Sequence, residues 1–145
     1  MDSFAATASG LVGACTLTIL HETARHNVSN APRIDIFRKR ALAKLLPNGM
    51  THSGENLEKD SFVGTILSNA TYYGMISVDK PKHGLRNGAI LGLVAGLGAV
   101  LLPESLGLDK ATGSRTTATT LMTIGRYLAG GVAAGLTYQL IGKRN

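Results

Sequence analysis

GLRNGAILGLVAGLGAVLL, residues 84–102, places glycine at positions 84, 88, 92 and 96 and carries no charge after Arg86. Wound as a helix, it has one face without side chains and an apolar remainder. Glycine inside a helix costs roughly 0.8–1 kcal/mol relative to alanine in water, so four of them disfavour a soluble helix. In a bilayer the same spacing lets a second helix approach closely. The ladder turns about 40° with each four-residue step, which makes a broad stripe suited to a crossing partner. The expected fold class is all-α: a small polytopic membrane protein.

Outward from this stretch, apolar and small residues concentrate in three further segments, giving expected spans at 4–20, 62–78, 85–102 and 117–141 in one membrane domain, residues 1–145. Four spans with short loops fit the chain length. The first has small residues at four-residue spacing, Ala6, Gly10, Ala14 and Thr18, and the last contains Gly131 and Gly135. Gly10, Ala14, Gly84, Gly88, Gly92, Gly96, Gly131 and Gly135 are thus the expected helix-packing positions. The second span is the most polar, with Ser68, Asn69, Thr71, Tyr72 and Tyr73. A helix buried among others tolerates these; one facing lipid does not. Cys15, alone in the chain, cannot form an internal disulfide and reads as a small packing residue.

Residues 10–22 (GLVGACTLTILHE) and 92–104 (GLVAGLGAVLLPE) share five of thirteen positions, and Gly64, Leu67 and Gly74 align with Gly125, Leu128 and Gly135. A duplicated two-helix hairpin would put the ends of spans one and three on one side.

The 15 lysines and arginines give a net charge of +6. They form no stripe with interleaved aromatics, as a nucleic-acid surface would, and sit mainly at the ends of apolar segments, so the expected partners are anionic lipids and other membrane subunits or a second copy, with no nucleic acid. Residues 33–46, RIDIFRKRALAKLL, follow Pro32 and collect Ile34, Phe37, Ala41, Leu42 and Leu45 on one arc. That pattern predicts a basic amphipathic interfacial helix between spans one and two, with Arg38, Lys39, Arg40 and Lys44 at lipid headgroups. The 1–2 and 3–4 connections hold nine basic residues against five on the opposite side. This places those connections in the cytoplasm and both termini opposite, in an inner or plasma membrane if the protein is bacterial. The first residues lack the basic n-region of a cleaved signal, so the segment is expected to be retained.

Catalytic patterns fail one by one. HETARH spaces His21 and His26 five apart, about 140° around a helix, whereas the zinc-protease pair needs four. No glycine-rich phosphate loop has the required lysine or strand context, and no nucleophile stands at motif spacing from a base. The expectation is no enzyme, no catalytic or metal site and no cofactor. Arg126, several residues into the last span, is expensive in a bilayer unless paired. Glu22 and Glu104, at the ends of spans one and three, are its expected intramembrane ion partners. These features together point to a structural or accessory membrane subunit. A transporter or channel component built on Asn69, Thr71, Tyr72 and Tyr73 is the alternative. A lipid-active enzyme using His21 and Glu22 is the third reading.

Overall fold

A computed structural model describes residues 3–27, 54–105 and 116–142 of the chain. They form four α-helices: α1, Ser3–Asn27; α2, Gly54–Gly74; α3, Gly84–Ser105; and α4, Thr117–Gly142. Two short 3-10 turns, Met75–Val78 and Pro81–His83, join α2 to α3. Among the described residues there is no strand. Residues 33–46, with Arg38, Lys39, Arg40 and Lys44, lie outside the described residues, as does the side chain of Glu104.

Local chemistry sets the boundaries. The Thr116 hydroxyl accepts the Thr119 N–H at 3.1 Å and caps the start of α4. Pro81 opens the second 3-10 turn, where its missing N–H costs nothing. α1 runs through HETARH to Asn27, well past residue 20, and α3 continues two residues beyond Pro103. Six threonines, at 7, 16, 18, 71, 123 and 137, donate their hydroxyls to the carbonyl four residues earlier at 2.8–2.9 Å. A threonine bonded this way presents mainly its methyl to the surroundings.

The helices alternate in direction. Gly10 lies against Ala70 and Gly74, Gly13 against Gly130 and Ala134, and Gly84 against Gly135 while Gly96 meets Ile124. Each of the pairs α1–α2, α1–α4 and α3–α4 is therefore antiparallel, and the order is up, down, up, down. α4 is the central element, packed on α1 with one face and on α3 with another. α2 reaches α3 at one end, where the Tyr72 hydroxyl donates to the Leu91 carbonyl at 2.9 Å. Two small apolar clusters fill the interior, Ala5–Ile76–Tyr138 and Leu17–Tyr73–Ala134.

Among the described residues, two stretches are long and apolar enough to cross a membrane, Ser3–Ala24 and Pro81–Leu102. This is fewer than the four spans expected. α2 and α4 have the length but not the apolarity: α2 begins with Glu55, Glu58, Lys59 and Asp60, and α4 carries Arg126, Gln139 and five threonines. Only 33% and 17% of the residues in the two apolar stretches are buried. Leu11, Val12 and Ile19 of α1 and Ile90, Val94 and Leu101 of α3 are exposed, while others such as Leu91 pack partly against the core. Cys15 also lies on the outside of α1, not in the packing it was expected to serve.

Candidate functional site

On α1, Gly13, Leu17 and His21 recur every four residues and share one face. That face meets Ala134, Gly130 and Arg126 of α4. A Cβ on Gly13 would sit 2.9 Å from the Gly130 carbonyl oxygen, and a Cβ on Gly130 would sit 2.9 Å from the Gly13 carbonyl oxygen. The two backbones are in direct contact, and the Tyr73 hydroxyl closes the gap by donating to the Tyr127 carbonyl at 2.7 Å. Two turns farther along α1 the larger polar side chains take over.

There His21 and Arg126 are each 7% exposed. The Arg126 Nε donates to the Met122 carbonyl of its own helix at 2.9 Å, and one terminal nitrogen lies 2.9 Å from His21 Nδ1. Since guanidinium nitrogens only donate, Nδ1 accepts, and the imidazole is neutral with its proton on Nε2. The second terminal nitrogen of Arg126 is buried without a hydrogen-bond partner among the described residues. Beside the pair is a cavity of about 30 Å³, whose lining includes Thr18, His21, Glu22, Thr65, Asn69, Thr123 and Arg126. Three helices contribute to it.

Arg126 therefore meets the residue beside Glu22 and not Glu22 itself. Among the described residues no carboxylate lies within ion-pair distance of Arg126; Glu22 is 4.0 Å from His26 Nε2. His26 points to solvent, its side chain 72% exposed, while His21 is buried, so the two histidines diverge as their spacing requires. The charge of Arg126 points to an acid as its partner, whereas the 13–17–21 stripe on α1 carries the signal for His21.

Most of the expected packing glycines come together between α3 and α4. A Cβ on Gly84 would lie 2.6 Å from the Gly135 carbonyl oxygen, and one on Gly135 would lie 2.5 Å from that of Gly84. Gly88 and Gly131 meet in the same reciprocal way, while Gly92 faces Leu128 and Tyr127, and Gly96 faces Ile124. In each reciprocal pair the hydrogen in place of Cβ points at a carbonyl oxygen, a weak but recurrent Cα–H···O contact. Gly10 packs on the Ala70 carbonyl of α2, and Ala14 is fully buried. Gly13 and Gly130 were missed. The Gly130–Gly131 doublet held the signal, because neighbouring residues on a helix point about 100° apart and can serve two partners.

At the opposite end, Asp79 ties the α2–α3 connection together. Its carboxylate accepts the Asn87 amide at 3.0 Å, the Lys80 backbone N–H at 2.7 Å and His83 Nδ1 at 3.0 Å, with Arg86 3.4 Å away. The Asn87 bond, followed by those from Lys80 and His83, holds the Asp79 carboxyl well below the ordinary range, at about 2. The Tyr138 hydroxyl of α4 donates to the Asp79 carbonyl at 2.9 Å. Because the folded carboxyl titrates below the unfolded one, this anchor is complete above about pH 4 and is lost as the pH falls toward 2. Amide exchange at residues 80–87 is expected to accelerate over that window, and Asp79→Asn should remove the pH dependence.

No protein-family model matches the chain, and neither a curated protein nor a solved structure shows significant similarity to it.

Proposed function

We propose that the protein is a small integral membrane subunit with a structural or accessory role, non-enzymatic and without a cofactor, that packs against other membrane helices or a second copy. One observation carries this reading: α1 and α3, the apolar helices, are mostly unburied within the chain. A core helix of a soluble protein would be mostly covered, and an apolar surface of this extent needs lipid or other helices against it.

The same argument supports all four helices crossing as one bundle. The polar groups of α2 and α4 that would be costly in lipid turn inward: Tyr72 to Leu91, Tyr73 to Tyr127, Arg126 to His21. Threonine hydroxyls are spent on their own helices. The bundle, and not each helix alone, is then what meets the bilayer. Alternating directions bring the 1–2 and 3–4 connections to one end, and their nine basic residues favour the cytoplasm for that end. The arginines and lysines of residues 33–46 would rest there on anionic headgroups.

The glycine ladder is consumed inside the chain by α4, so the surface left for partners is aliphatic: the outer face of α3, including Ile90, Val94, Leu97 and Leu101, and that of α1. The expected result is a protein that stays in the membrane pellet after carbonate washing and, in mild detergent, migrates on native gels with other subunits or as an oligomer. Release by carbonate would remove the membrane reading, and a lone monomer in every mild detergent would remove the accessory one.

A further inference from the structure

The cavity beside Arg126 has the chemistry of a binding site. A guanidinium keeps its charge at every accessible pH, and this one is nine-tenths buried, with no acceptor for one terminal nitrogen among the described residues. Its near neighbour, His21, is held neutral by accepting from it, so the pair carries a full positive charge. Burying a charge without a counter-charge is strongly unfavourable. Among the described residues the acidic side chain in the lining is Glu22, which is about a third exposed and forms no ion pair with Arg126. Asn69 of α2 also lines the cavity, and its amide forms no hydrogen bond to protein among the described residues.

We propose that this cavity binds a single weakly hydrated monovalent anion such as chloride or bromide, held by the second terminal nitrogen of Arg126 and the Asn69 amide. Water would satisfy the two donors but leave the charge uncompensated; an anion does both. The lining offers one guanidinium charge and, in Glu22, a carboxylate beside it, a balance that favours a monovalent ion over sulfate or a phosphate ester. The apolar wall supplied by Leu17 and Tyr127 suits a weakly hydrated ion better than a strongly hydrated one. The site depends on how α1, α2 and α4 pack and not on whether the bundle sits in a membrane, so its failure and that of the membrane reading are separable.

The test uses the full chain, purified in detergent and exchanged into gluconate. Added chloride or bromide at constant ionic strength should raise the melting temperature along a saturating curve, since a ligand bound only by the folded state stabilises it. Sulfate should not. Crystals grown in bromide should show an anomalous peak beside Arg126. Arg126→Gln should abolish the saturable response. Should that variant fail to fold, two others decide the matter. Asn69→Leu, which removes a donor and fills space, should weaken binding at least tenfold, and Glu22→Gln, which removes the negative charge at the site, should tighten it several-fold. Identical melting in chloride, bromide and gluconate would overturn the proposal. So would an equal response to sulfate, or affinity unchanged in both the Asn69 and Glu22 variants.

Discussion

Replacing Gly88 by leucine is expected to detach α3 from α4. A Cβ at position 88 would press on the Gly131 carbonyl oxygen and lie 2.9 Å from the Gly135 Cα and 3.0 Å from its nitrogen. All three obstacles are backbone, so no rotamer change relieves them, and the helices must separate. Separation also breaks the contacts at Gly84–Gly135 and Gly92–Leu128, because α3 and α4 touch along one continuous line. Overpacking typically costs ~1–3 kcal/mol; Gly88→Ala falls in that range, and leucine exceeds it. Gly125 provides the control. A Cβ there meets nothing within 4 Å, so Gly125→Ala should be neutral or stabilising through its helix propensity. Unfolding of both variants in graded sodium dodecyl sulfate, followed by circular dichroism, checks the contrast. Equal stability of Gly88→Leu and the parent would contradict the α3–α4 interface.

Tyr73 should show the second large effect. It is fully buried, projects from α2, and reaches both other helices of its cluster. Its ring lies 2.9 Å from where a Gly13 Cβ would be, its hydroxyl 2.9 Å from where a Gly130 Cβ would be, and it stands edge-on to Tyr72 with centroids 5.6 Å apart. Tyr73→Ala leaves a ring-sized void at the junction of three helices and is expected to cost ~3–5 kcal/mol, as aromatic truncations in packed cores do. Tyr73→Phe keeps the ring and loses only the bond to the Tyr127 carbonyl. That change should cost ~0.5–1.5 kcal/mol, toward the low end, because the carbonyl sits within a helix. The ratio of the two losses, read from the same unfolding curves, separates packing from hydrogen bonding. Similar losses for both variants would mean the hydroxyl and not the ring holds the junction.

How much of this was legible varied with the kind of physics involved. The glycine ladder announced close backbone contact because four bare positions on one face have few other uses. It could not name its partner, since Gly131–Gly135 and Gly10–Ala14 offer equally small surfaces and the choice depends on register across three helices. The start of α4 at residue 117 followed from composition. The extent of α1 did not, because HETARH reads as a polar exit while its backbone simply continues the helix. Ser53 and the acidic residues after it read as a helix start ahead of the apolar part at 62–78, and α2 occupies Gly54–Gly74 before tightening to a 3-10 turn over Met75–Val78. Charge alone points Arg126 toward Glu22, yet the α1–α4 register presents His21 and leaves Glu22 one position off.

The adjacent glycines at 130 and 131 have a mechanical consequence. One is pinned by the backbone of α1 and the other by that of α3, on faces about 100° apart. A helix held on two such faces has no freedom to roll: turning it by one residue would drive Val132 into α3 and Gly131 onto α1. Any force delivered to α4 from outside is therefore passed to both neighbours together, as a shift along its axis or a tilt of all three helices as one body.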